Sequence, residues 1–174
     1  MDVTQEELEE KLEEKLHDHF PSANVRIQRK GRVWIQIEPE AFVPLCTWFK
    51  ETGFGHLSAI SVTDWPERKV FEETCHLWSQ ESRIVATVKI TVNRDKPSAP
   101  SLFPLWHENA QVHERELHEL FGIVFEGNPD LSPLFLEEWS GPAPFLKDFD
   151  WREYVRENYY SEDNAREVAY FEGR

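Results

Sequence analysis

Three stretches, residues 57–63, 70–78 and 83–92, follow one another at short spacing, and each sets β-branched or other apolar side chains at alternating positions. A period of two gives a strand one side to bury, so these runs require a sheet with a cover on one face. Residues 25–29 and 33–37 repeat the pattern on either side of Lys30-Gly31, as in a two-stranded hairpin with one buried face.

The cover comes from helical periodicity. Thr4 and Glu7 form a capping box, Val3 and Leu8 are placed to staple it, and Leu8, Leu12, Leu16 and Phe20 follow at helical spacing until Pro21. A second helix starts with Pro39 in its first turn, turns Phe42, Leu45, Cys46 and Phe49 inward, and ends at Gly53. Two helices on a mainly antiparallel sheet make an α+β two-layer sandwich, which residues 1–93 are expected to form as a globular domain.

The composition changes at Asn93. Pro97, Pro100 and Pro104 predict an extended connector without regular structure over residues 95–105. A third helix is expected from about residue 109 to 121, with Ala110, His113, Leu117, Leu120 and Phe121 on one face and Gly122 as its stop. Beyond it, Gly127, Pro129, Pro133, Gly141, Pro142 and Pro144 interrupt Phe125, Leu131, Leu134, Phe135, Leu136, Trp139 and Phe145. Those apolar side chains need burial, yet the breakers forbid a self-contained element, so the segment is expected to lie extended on a partner. Residues 94–149 thus read as connector, helix and partner-binding segment, and residues 150–174 as a short helix with a mobile acidic end from Ser161.

The formal net charge of -14 repels phosphate backbones and anionic headgroups, which argues against nucleic acid as a partner. Cys46 and Cys75 stand alone, which supports no disulfide framework, iron–sulfur motif or zinc motif and suits a reducing cytoplasm. No apolar run approaches the ~20 residues of a membrane span and the first fifteen residues lack a signal-peptide core, so membrane attachment would pass through other chains. No glycine-rich phosphate loop occurs, and the 7 Trp and 12 Phe exceed what a small core needs, which hints at an interface.

His113, Glu114 and His118 approach the His-Glu-x-x-His helix of zinc hydrolases, but their histidines are five apart rather than four. On a regular helix that separates them by about 140° instead of about 40°, so they do not share one zinc. A small metal-dependent hydrolase therefore stays a secondary reading, as does a free-standing binding module. By spacing alone, Glu114, Arg115 and Glu116 form a solvated charged turn, and Asp64-Trp65 and Lys147-Asp148-Phe149 are turns with an aromatic anchor.

Taken in order, Ser61-Val62-Thr63-Asp64-Trp65, residues 88–94, Pro100-Ser101-Leu102-Phe103-Pro104, the run of residues 114–131 and Lys147-Asp148-Phe149 resemble the family of the complex I C subunit. The resemblance covers residues 57–149, and the run from Glu114 to Leu131 is its most specific part. The chain departs from the family at His118-Glu119, usually Tyr-Asp, at Asn128, usually His, at Ser132-Pro133, usually an Arg pair, and at Leu146, usually Arg. Such departures point to a divergent branch, as in archaeal group 4 hydrogenases or ferredoxin-linked sulfur reductases.

The resemblance implies a non-catalytic, cofactor-free structural subunit in the hydrophilic arm of a membrane-bound oxidoreductase complex, on the cytoplasmic face of the membrane. It would brace a hydrogenase-like large subunit beside the electron path, with ferredoxin-like and small iron–sulfur subunits nearby. The residues expected at the partner interface are Glu114, Arg115, Glu116, Phe121, Gly122, Phe125, Gly127, Pro129, Asp130, Lys147, Asp148 and Phe149.

Overall fold

A computed structural model describes residues 4–160 and 164–172. Helix α1 (Gln5–His19) begins with the expected capping box: the Glu7 amide donates to Thr4 Oγ1 at 3.3 Å and the Thr4 amide to Glu7 Oε2 at 3.0 Å. The Val3 half of the staple lies outside the described residues. Strands β1 (Asn24–Arg29) and β2 (Arg32–Gln36) form the hairpin, and helix α2 (Pro39–Glu51) buries Phe42, Leu45, Cys46 and Phe49 as its spacing predicts.

Strands β3 (His56–Trp65), β4 (Val70–Ser79) and β5 (Ile84–Asn93) complete a five-stranded sheet of order β1-β2-β5-β4-β3. All neighbours are antiparallel except β2 and β5, which run parallel because α2, β3 and β4 intervene between them in the chain. The expected α+β architecture with a mainly antiparallel sheet is what the structure shows.

Alternation decides which side is inside. Val33 and Ile35 of β2, Phe71, Cys75 and Leu77 of β4, and Ile84, Ala86, Val88, Ile90 and Val92 of β5 meet Leu12, Leu16 and the buried stripe of α2 in one core. Full burial stabilises each large side chain by about 1.5–3 kcal/mol, so this layer dominates the fold's energetics.

The second half of the chain is more regular than its prolines predict. Ser98–Pro100 form β6, which pairs in parallel with β7 (Val124–Glu126). A two-stranded ribbon is all edge, so the missing proline N–H can face away from the pairing. Pro104 sits in the first turn of α3 (Phe103–Phe121), where an amide has no helical partner to lose.

That helix is kinked at Trp106 and His107, so its regular part starts close to the expected position. Its inward stripe is Ala110, Glu114, Leu117 and Leu120, whereas His113 is half-buried. Ile123 and Phe125 enter the chain's own core, and Leu131 and Leu146 pack against it. The breaker-rich segment is therefore partly absorbed at home. Helix α4 (Trp151–Asn158) is the short helix expected within residues 150–174, with Asp150 capping the amides of Arg152 and Glu153. Within the acidic end from Ser161, the described residues carry a further helix, α5 (Ala165–Glu172), and residues 161–163, 173 and 174 lie outside the described residues. Asn164 Oδ1 accepts from the Arg166 amide and compensates one of its orphan donors.

Candidate partner interface and the polar latches behind it

Three carboxylates hold residues 94–149 in place. The first is Glu114 on α3, fully buried, whose Oε2 accepts from Ser101 Oγ at 2.6 Å and Asn128 Nδ2 at 2.8 Å while Oε1 accepts from the Leu102 amide at 2.7 Å. It ties the chain before α3 to the chain after β7. Gly127 completes this corner with φ of 101°, a conformation glycine adopts without strain, and a Cβ there would sit 3.7 Å from Ser101 Cβ.

The second is Asp64 at the end of β3, whose side chain is 1% exposed. It accepts from Arg94 Nε at 2.8 Å, Arg94 Nη2 at 3.2 Å and the Lys147 amide at 2.9 Å. Arg94 also reaches Asp148 at 2.5 Å, and this donor holds the Asp148 carboxyl below its ordinary value while the two carboxylates raise the guanidinium's. Two turns 83 residues apart, each read singly as an aromatic anchor, are thus one charge-assisted joint.

The third is Glu119, which accepts the consecutive amides of Leu134, Phe135 and Leu136 at 3.1, 2.9 and 2.7 Å. Partial desolvation raises its pKa, but these three amides, together with Arg115, outweigh that and leave it lowered. Arg115 donates to the carbonyls of Ser132 at 3.0 Å and Pro133 at 2.8 Å. A chain that cannot bond to itself is thereby satisfied by side chains of α3.

The predicted interface residues divide accordingly. Glu114 and Phe125 lie wholly inside this chain, so Glu114 belongs to no solvated turn and acts beneath the surface. Phe121 is half-buried edge-to-face between Phe71 and Phe145, and Gly122, with φ of 76°, ends α3 as expected. Asp130 caps the Ser132 amide, and Phe149 packs on Trp139 and Tyr154. Arg115 and Glu116 are half-buried, while Pro129, Lys147 and Asp148 are exposed; Lys147 Nζ lies 5.0 Å from the Trp65 ring.

Among these elements the most exposed large apolar groups are two that spacing did not single out: Phe135, 62% exposed, and Phe145, 58% exposed. Their signal was present in the breaker-rich segment, but only the latches decide which of its aromatics face outward. Glu119 was missed too, because a carboxylate that binds backbone amides leaves no mark in the spacing.

Glu73 was also missed. It points into the core from β4, fully buried, and both carboxylate oxygens lack a hydrogen-bond partner. Burial first, then the nearby Glu114 charge, push its pKa up to about 8. Burial raises Glu114 as well, but the bonds from Ser101, Asn128 and Leu102 oppose it. Glu73, with no donor to receive a charge, therefore holds its proton at neutral pH, whereas Glu114, raised from its ordinary value by burial, has three donors that oppose the rise.

In the His-Glu-x-x-His-like run, Glu114 faces the core and His118 Nδ1 lies 2.8 Å from the Ile123 carbonyl. Among the described residues no three His, Cys, Asp or Glu side chains converge in an arrangement that could hold a metal. Carboxylates pin the segment after Gly122 to the rest of the chain and leave Phe135 and Phe145 largely exposed.

Known proteins match most of this chain. Residues 35–155 match the family described as the respiratory-chain NADH dehydrogenase, 30 Kd subunit. The C subunit of the F(420)H(2) dehydrogenase of Methanosarcina mazei is 31% identical over 135 residues, which is 75% of this chain and 85% of that protein. The C 1 subunit of the NADH-quinone oxidoreductase of Rhizobium etli is 31% identical over 146 residues, covering 80% of this chain and 70% of that one. A chain of the membrane-bound sulfane sulfur reductase, an archaeal respiratory membrane complex, superposes with a TM-score of 0.79 at 26% identity, covering 89% of this chain and 97% of that one. The matched span contains all three latches, from Asp64 to Asp148, and on that ground the chain belongs to the 30 Kd subunit family of the respiratory-chain NADH dehydrogenase.

Proposed function

We propose that this protein is a structural, cofactor-free subunit of a membrane-bound oxidoreductase complex related to complex I, and that it braces the hydrogenase-like large subunit beside the iron–sulfur electron path. One observation carries the reading. The latches fix residues 123–149 as an extended strap and leave Phe135 and Phe145 outside, as a brace that clamps a neighbour requires. Functionally, residues 1–93 serve as the body, residues 94–149 as the partner-facing part and residues 150–174 as a terminal extension. Ferredoxin-like and small iron–sulfur subunits stand nearby in this arrangement.

The likeness to a sulfane sulfur reductase chain and to a subunit of an F(420)H(2) dehydrogenase supports an archaeal-type branch. Among the described residues no helix is long and apolar enough to cross a membrane, so the proposed place on the cytoplasmic face depends on other subunits. Replacing the outward aromatics, F135D with F145A, tests the reading with little risk to the core. The variant chain should fold with unchanged circular dichroism yet recover at least ten-fold less of the large subunit when tagged and purified from its membranes. Undiminished recovery of the large subunit overturns the strap as the binding element.

A further inference from the structure

The sheet has a second face, and helices α1, α2 and α3 all pack against the other one. Its outward positions follow from the register. Arg29, Arg32, Val85 and Trp78 form one row across four strands, Arg26, Trp34, Thr87 and His76 the next, and Gln36, Lys89, Thr74 and Ser61 a third. Thr74 and Thr87 are covered by their tall neighbours, while Trp34, Trp78 and His76 are half-exposed and Arg26 and Arg29 exposed.

The charge on this face runs against the whole. The chain carries a formal net charge of -14, yet the outward strand positions hold the cations Arg26, Arg29, Arg32 and Lys89 and the single anion Glu72. Among the described residues only Lys89 of those four makes an ion pair, with Glu72 at 2.5 Å. Trp34 lies at the centre of the cations, with Lys89 Nζ 4.3 Å and the Arg26 guanidinium carbon 5.5 Å from its ring. Beside the ring is a depression of about 260 Å³, lined in part by Asn24, Gln36 and Glu72. His76, turned toward its neutral form by burial first and then by Arg32 and Lys89, adds no further cation.

We propose that this uncovered face docks an acidic surface of a second protein subunit, with Trp34 as the anchor and Arg26, Arg29, Arg32 and Lys89 meeting its carboxylates. Trp and Arg are the residue types that carry most of the energy at interfaces, and a half-buried Trp held between cations is already ordered before binding. Strands about 4.8 Å apart, three of them about 33 Å long and β1 and β2 about 20 and 17 Å, offer ~650 Å², near the ~800 Å² per partner of a stable interface. An anionic membrane plane fits less well. It would also meet exposed Glu38, just past β2, and Glu81, in the β4–β5 turn, which a protein patch of matching outline avoids. This contact is independent of the strap, which leaves from the other layer.

A photo-cross-linking residue at Gln36 or Thr63, both exposed on this face, tests the proposal in the full chain within its native membranes. Irradiation should join it to one other protein through a peptide rich in Asp and Glu. Raising salt from about 0.05 M to about 0.5 M should cut the yield several-fold by screening. Charge reversal, R26E with R29E and R32E, should lower the yield at least ten-fold, and R26K with R29K and R32K should restore most of it. A cross-linker at Phe135, read in the same membranes, reports the strap separately, so loss of one contact is distinguishable from loss of the other. Adducts confined to lipid or to a second copy of this chain, an adduct peptide without acidic residues, or a yield insensitive to salt would overturn the proposal.

Discussion

Glu73 and Glu114 show how two carboxylates in one core differ in the donors they receive. Glu114 receives three donors that oppose the rise caused by its burial, whereas Glu73 receives none and keeps its proton, with a pKa pushed to about 8 from an ordinary 4.5. A raised carboxyl pKa gives a definite sign. Below about pH 4.5 both folded and unfolded chains hold the Glu73 proton, but between 4.5 and 8 only the folded chain does. Stability therefore falls as pH rises through this window, by up to about 1.4 kcal/mol per unit, and levels off above it. The substitution Glu73→Gln should flatten that slope and make the protein more stable than the wild type at pH 9, measured as urea midpoints at pH 5, 7 and 9. A parallel slope in both proteins would refute it. Neither role could be read from spacing, since Glu73 sits in an alternating strand at an ordinary core position and only the docking of α3 brings Glu114 near it.

At the level of elements, the helices and strands of the first half were legible because their periodicity and caps agree. Thr4 with Glu7, Pro39 and the alternation of β4 and β5 each point to the element that forms. The short pair β6–β7 was not legible, for Pro97 and Pro100 argue against a strand unless its partner, 26 residues on, supplies the pairing. The strap after Gly122 is ordered from outside its own sequence by Arg115 and Glu119. Glu119→Ala should release the amides of Leu134, Phe135 and Leu136 to fast hydrogen exchange while β4 and β5 stay protected. Continued protection of those three amides would show that Glu119 does not hold the strap.

For the molecule as a whole, the core does not follow the division proposed at Asn93. Trp106, Ala110, Leu117, Ile123 and Phe125 share one apolar cluster with the sheet and α2. Thermal unfolding should therefore be a single transition, with far-ultraviolet dichroism and tryptophan fluorescence coinciding; two separated midpoints would mean that residues 94–149 fold apart. Local chemistry along the chain was enough for the α+β class, the bounds of its strands and helices through α2, the stop at Gly122 and the short helix after Asp150, because these depend on side-chain period and on backbone preferences within a few residues. Its signature residues also carried the family resemblance. Three-dimensional packing was needed to bring Asp64 to Arg94 and Lys147, to close Glu114 over Ser101 and Asn128, and to leave a basic face uncovered on an acidic chain. Those outcomes depend on contacts between residues far apart in the chain, whose distances no local pattern encodes.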